Sequence, residues 1–287
     1  MDDWIQDKEV ITETYLEIIN AINYHFLFIV KENFDRLKMV FPLAEFIMER
    51  FETVITLCIN GLLWDCEIIL RSTQETFVKY LYMLDGEQPD VDIKIDEYWK
   101  SLAEIQSLKM SSQAKLNLEL LDDNDFSKIA FLPLVLSEEE EKRLKLKWPK
   151  KERSKLEQKW SFSQMVLELS ANKNNIMRDY IMLLTFNYRM GSHIIHGDET
   201  GIGIINERRN REAEENLKAE QGHYLRILSD VLSYNTLLSV QTMAFLKLEK
   251  ESDNITEYQR KIHEIDNLIS KYEGRVFEDS DYNQYRK

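Results

Sequence analysis

Eight glycines and four prolines are all that the 287 residues hold, about a third of average usage. Tight turns draw on these two residues, so a fold of many short strands would lack material for its connections. Helices need few of them, and the apolar pattern is helical. From Trp4 to about Met39, the residues Ile11, Tyr15, Ile18, Ile19, Ile22, Phe26 and Ile29 recur at steps of three and four, the period that gathers side chains into one helical stripe. The chain is therefore expected to be all-α, an up-and-down helical bundle with a large helical insertion between the core helices. Pro42 is read as the end of the first helix. Helices over Leu43–Asn60 and Leu62–Leu84 follow, separated by Gly61 and stopped by Asp85-Gly86, a pair that favours turns.

This pattern divides the chain into N-terminal core helices (1–85), an insertion with acidic and basic clusters (86–160), C-terminal core helices (161–273) and a polar tail (274–287) carrying Tyr282 and Tyr285. In the third part, helices are expected from Ser161 to about Ala171, Asn175 to Ile195, Asn206 to Glu249 and Thr256 to Tyr272. The glycine-bearing stretch Gly197-Asp-Glu-Thr-Gly-Ile-Gly lacks the Lys-Ser/Thr ending of a phosphate-binding loop and is taken as a connector.

The formal net charge is −14, a field that repels nucleic acid and anionic membranes. A polyanion would have to be met by a local patch, and there is one candidate. Residues 1–140 are net −16, whereas residues 141–159, EKRLKLKWPKKERSKLEQK, are net +6. Lys145, Lys147, Lys150, Lys151 and Arg153 could grip phosphates while Trp148 offers a stacking face, as in single-strand binders. The alternative is a solvated helical hairpin whose lysines balance the acidic stretch before it.

Cys58 and Cys66 lie eight residues apart in a segment read as helix; about 12 Å of rise would then separate them, too far for a disulfide. Two free thiols and an N-terminus, MDDWIQDKEV, without a secretory leader lead us to expect a cytoplasmic protein. The longest apolar stretch, Ala21–Val30, is interrupted by Asn23 and His25 and falls short of the roughly 20 residues a membrane span requires. No membrane association is expected.

Two of the five histidines stand in Tyr188-Arg-Met-Gly-Ser-His-Ile-Ile-His-Gly-Asp198. If the helix continues through it, Arg189 and His196, seven residues apart, point to nearly the same side, with His193 between them and Ser192 at the edge. An imidazole can remove a 2′-hydroxyl proton or protonate a leaving oxygen, and a guanidinium can stabilise charge on a phosphorane. Such chemistry needs neither metal nor cofactor, and none is expected. Alternatively, His196 closes the helix at its negative end, with Gly197 as the left-handed stop. A metal reading of His193-x-x-His196-x-Asp198 lacks a fourth ligand nearby. Gly191 is a place where the helix can bend.

The second constellation is Arg71-Ser-Thr-Gln-Glu75, four residues apart among Leu70, Phe77, Val78 and Leu81. Its members share a face and can pair, either desolvated as a polar site or exposed on a rim. Asp65 and Glu67 are expected to face solvent.

The stretches LLWDCEIILRSTQETFVKYLYML and YRMGSHIIHGDETGIGI resemble a helical bacterial family of unknown function that neighbours the AbiV-type abortive-infection proteins. The second is also similar to the arginine, four to six residues, histidine signature of the HEPN superfamily, here Arg189 and His196. That resemblance implies a homodimer with a composite site, metal-independent cleavage of single-stranded RNA in antiphage defence or a toxin-antitoxin system, and a possible regulatory protein or antitoxin. It implies Arg189 at the phosphate and His196 as acid or base, His193 and Ser192 beside them, and Arg71, Glu75 and Tyr188 in support. Two other readings stand beside this one: a non-catalytic helical adaptor acting by protein binding, and a small-ligand sensor with a pocket at Arg71, Glu75 and Arg189.

Overall fold

The structure, a computed structural model, describes residues 2–122, 125–172, 181, 188–189, 191–248 and 260–272. Every regular element among them is helical, so the fold is all-α. In chain order these are α1 (Asp2–Glu32), α2 (Phe34–Leu37), α3 (Phe41–Ile59), α4 (Leu63–Leu84), α5 (Gln88–Asp96), a π-helical turn (Glu97–Ser101) and α6 (Leu102–Leu120). Then come α7 (Lys128–Phe131), a 3₁₀ turn (Leu132–Leu134), α8 (Glu138–Lys147), α9 (Lys150–Lys159), α10 (Phe162–Ala171), α11 (Glu199–Arg209), α12 (Ala213–Leu246) and α13 (Asp266–Tyr272). Residues 188–189 and 191–196 are also helical. No helix of the described residues is long and apolar enough to cross a membrane. The polar tail expected at 274–287 lies outside the described residues, as do residues 175–180, 182–187 and 190 of the helix expected from Asn175 to Ile195.

The chain forms two compact units, Met1–Asp85 with Leu169–Lys287, and Gly86–Glu168. In the first, α12 packs on α1, α3 and α4, and α3 lies along α4. The stripe seen in the sequence is what α1 buries, from Ile11 through Ile18 and Phe26 to Ile29. Burial on α4 covers more than a stripe, with Phe77, Val78, Tyr80, Leu81, Tyr82, Met83 and Leu84 all inside, as befits a helix in the middle of a bundle. Several polar atoms there find partners: Gln74 Nε2 donates to the Tyr234 hydroxyl at 2.5 Å, Gln241 Nε2 to the Leu84 carbonyl at 3.1 Å, and the Tyr80 and Thr242 hydroxyls share a bond of 2.6 Å.

Several local expectations change. Pro42 does not end the first helix; α1 stops at Glu32, and Pro42 lies in the first turn of α3, where a missing N–H costs nothing. The supposed connector after Gly197 is mostly helix, because Asp198 caps α11 by accepting from Gly201 N at 3.0 Å. The long helix expected from Asn206 is interrupted at residues 210–212, between α11 and α12. Cys58 and Cys66 do not share one helix. The chain reverses at Gly61 (φ +76°), so α3 and α4 form a hairpin that sets the two buried thiols near each other, Cys58 Sγ donating to the Tyr224 carbonyl at 3.8 Å and Cys66 Sγ to the Val54 carbonyl at 3.4 Å. Both are free, and the Cys66 thiol together with burial pushes the Cys58 thiol up.

In the second unit, α6 packs on α7, the 3₁₀ turn, α8 and α9. Ion pairs from Lys115 to Glu141 and from Lys147 to Glu104 show α8 running antiparallel to α6. Glu97, on the π-helical turn, receives Lys159 Nζ at 2.6 Å and Trp160 Nε1 at 3.0 Å.

Candidate functional site

The segment that drew attention in the sequence ends a helix. Gly197 takes φ +56°, its N–H meets the Ile194 carbonyl at 3.2 Å, and Asp198 N meets the His193 carbonyl at 3.4 Å, the pattern of a glycine-closed helix terminus. His196 is thus the last helical residue. It and Arg189 are exposed, and neither has a hydrogen bond or ion pair with a described side chain. Ser192 is half-buried on the intervening turn.

Asp198 serves two groups at once. Its Oδ1 accepts from Gly201 N and its Oδ2 lies 2.7 Å from His193 Nδ1. The Gly201 N–H first and the His193 ring second hold its carboxyl below the usual carboxylate range. In a neutral ring with Nδ1 donating to this carboxylate, the other ring nitrogen of His193 is the acceptor. Close packing supports the arrangement: a Cβ on Gly201 would fall 2.3 Å from the His193 carbonyl oxygen. Asp198 therefore meets His193 as a hydrogen-bond partner, and no group of three metal-binding side chains gathers among the described residues.

One helical turn earlier the same segment leans on α4. A Cβ on Gly191 would meet Arg71 Cβ at 2.9 Å, so this glycine is where the two helices touch. The contact brings Tyr188 onto the Arg71–Glu75 pair. Arg71 Nη1 donates to Glu75 Oε1 at 2.6 Å, Arg71 Nη2 to the Tyr188 hydroxyl at 2.7 Å, and that hydroxyl to Glu75 Oε1 at 2.9 Å. The guanidinium carbon also sits 4.3 Å from the centre of the Tyr188 ring, within cation–π range. Burial and then the Glu75 carboxylate push the Tyr188 hydroxyl up to about 12, so it remains a donor near neutrality. Arg71, Glu75 and Tyr188 thus form one half-buried triangle.

The expectation that Glu67 faces solvent is wrong, although Asp65 does. Glu67 is only 7% exposed because α12 covers that side of α4. Its Oε1 accepts from His223 Nε2 at 2.6 Å and from Arg226 Nη2. His223 Nδ1 in turn lies 2.9 Å from Arg208 Nη1, whose guanidinium covers the Trp64 ring at 4.6 Å. Nδ1 can accept that bond only from a neutral ring, and burial, then the Arg208 charge, pushes His223 down to about 4. Sequence reasoning passed over this group. The available signal was spacing: Glu67, Arg71 and Glu75 recur every four residues and form one polar stripe on α4.

In the second unit part of the basic block is committed. Lys145 pairs with Glu141 at 2.5 Å, Lys147 with Glu104 at 2.7 Å, and the Trp148 indole N–H donates to Glu104 at 2.6 Å. Lys150 and Lys151 are exposed at the start of α9, and Arg153 is half-buried. Trp148 borders a cavity of about 630 Å³ whose lining also includes Glu97, Lys155, Lys159 and Gln164.

No curated protein and no solved structure matches the chain. A family model does, over residues 37–216, a span that takes in the α4 stripe, the whole second unit and the 188–198 segment. The chain belongs to the family of unknown function DUF5677.

Proposed function

We propose that the protein is a HEPN-like, metal-independent endoribonuclease that cleaves single-stranded RNA in the cytoplasm, as an effector in antiphage defence or a toxin-antitoxin system. The observation that carries this reading is the exposed helix end, where Arg189 and His196 stand two turns apart without a side-chain partner among the described residues and His193 stands between them with its ring held by Asp198. In the proposed reaction an imidazole takes the proton of a 2′-hydroxyl, whose oxygen attacks the neighbouring phosphorus, and Arg189 stabilises the charge of the phosphorane. A second imidazole protonates the departing 5′-oxygen, leaving a 2′,3′-cyclic phosphate. His196 and His193 supply these two roles, with Ser192 beside them, and a homodimer would place two such helix ends together. Arg71, Glu75 and Tyr188 act as the platform against which the helix is set.

Expression of the wild-type chain beside Arg189→Ala and His196→Ala tests the reading. Growth arrest with RNA fragments ending in 2′,3′-cyclic phosphate, both lost in the two variants, is expected. Arrest that persists in the variants, or comes without fragments, overturns it. A second reading, a non-catalytic adaptor acting by protein binding, draws on the glycine-closed terminus, since a histidine at a helix end has a structural use of its own.

A further inference from the structure

The second unit exposes an apolar surface that its own fold leaves uncovered. Leu116 and Leu120 stand one turn apart at the end of α6, and the chain then folds back so that α7 and the 3₁₀ turn pack beside that helix. Phe126, Ile129 and Leu132 join the two leucines on the outside. These are not partial exposures: Leu120 is 84% and Phe126 82% accessible. Single exposed apolar residues are ordinary, but a run of large ones on packed neighbouring elements marks an interaction surface.

Charge narrows what can cover it. Residues 116–134 carry four carboxylates and one lysine. Glu119 and Asp122 are exposed without an ion pair to a described residue. Asp125 accepts from Ser127 N at 2.8 Å, and that backbone bond holds its carboxyl below the usual range. Elsewhere in this unit several carboxylates are matched, Glu141 with Lys115 and Lys145, Glu97 with Lys159, and Glu157 with Lys109. The apolar surface is thus edged by net negative charge, with Lys128 acting on Asp125 and no ion pair to Glu119 or Asp122 among the described residues. Two copies of the chain meeting face to face here would oppose their carboxylates, and an anionic bilayer would be repelled.

We propose that this surface docks a cationic amphipathic helix of another protein, with apolar side chains lying across Leu116, Leu120, Phe126 and Ile129 and flanking lysines or arginines meeting Glu119, Asp122 and Asp125. The inference does not depend on the nuclease reading. A helix suits the site because two apolar rows, one on α6 and one on the returning segment, can receive anchors spaced by one turn.

The test uses the full chain and a fluorescent synthetic helix of leucine and lysine in amphipathic order, read by anisotropy. A helix with glutamate in place of lysine is the control. The double variant Leu120→Ser, Phe126→Ser removes apolar contact without altering charge, and both positions are so exposed that folding, checked by circular dichroism, is kept. The leucine–lysine helix is expected to bind the wild type, to lose about tenfold or more in affinity for the double variant, and to lose several-fold for Asp122→Lys. Equal binding of the double variant would mean that the peptide merely answers the net negative charge, and overturns the proposal. Equal binding of the glutamate helix overturns the assigned chemistry. Concentration-dependent dimerisation of the wild type that vanishes in the double variant assigns the surface to a second copy and overturns it as well, as does binding to neutral phosphatidylcholine vesicles that the same variant abolishes.

Discussion

Two neighbouring regions of the first unit handle charge in opposite ways. On the α4 stripe the charges meet protein partners, Glu67 on His223 and Arg226, Arg71 through its two terminal nitrogens on Glu75 and Tyr188. At the adjoining helix end, Arg189 and His196 are exposed without a described partner, and only His193 is held. Groups saturated by protein can position but have little capacity left for a ligand. Groups left open can meet a substrate and add little to stability. The stripe is therefore read as the frame and the helix end as the working surface.

This division can be broken most sharply at Glu67. Glu67→Ala leaves His223 and Arg226 facing an empty buried position, and urea denaturation is expected to show a loss of about 3 kcal/mol, the lower end for a broken buried pair because Arg226 reaches solvent. A loss below about 1 kcal/mol would mean that this cluster is not a structural frame.

Acid titration probes the same cluster. His223 is pushed down to about 4 in the folded protein from about 6.5 when unfolded, so between those values the unfolded chain binds a proton that the folded chain refuses. The contribution is complete above about pH 6.5 and is lost as pH falls toward 4, at most about 3 kcal/mol in all. Denaturation midpoints for His223→Gln should fall less steeply over that window than those of the wild type. Parallel slopes would remove His223 as the cause.

Tyr188→Phe removes one corner of the triangle but keeps its ring over Arg71. A loss of about 1 kcal/mol is expected, and under the nuclease reading a fall in cleavage with the helix end set less firmly. No change in either would separate the triangle from the site.

The smallest effect on stability is expected where the largest effect on function is proposed. Arg189→Ala and His196→Ala should each stay within about 0.5 kcal/mol of the wild type. If either proves strongly destabilising, its residue belongs to the frame, and the contrast between the two regions fails.

The parts of this molecule legible in advance were those written in local spacing. Three-and-four periodicity marked α1, because backbone geometry alone puts such residues on one side, and Gly61 and Asp85-Gly86 bounded α3 and α4. The Arg71–Glu75 pair follows from their four-residue separation, and the left-handed stop at Gly197 from the residue type. Even within local sequence some competition was misjudged. Pro42 suits either side of a helix boundary, and the Asp198 cap outweighed two glycines in starting α11.

What sequence by itself determined is the all-α class, the main helices of the core and the short-range contacts within them, since each depends on residues a turn or so apart. Tertiary structure decided which faces those helices cover. The hairpin at Gly61 set Cys58 beside Cys66, α12 buried Glu67, and the close approach at Gly191 laid Tyr188 on an arginine 117 positions away. Periodicity identifies a side of a helix that will be buried; it carries no information about which distant segment will lie against it, because that choice is made by the packing of the whole bundle.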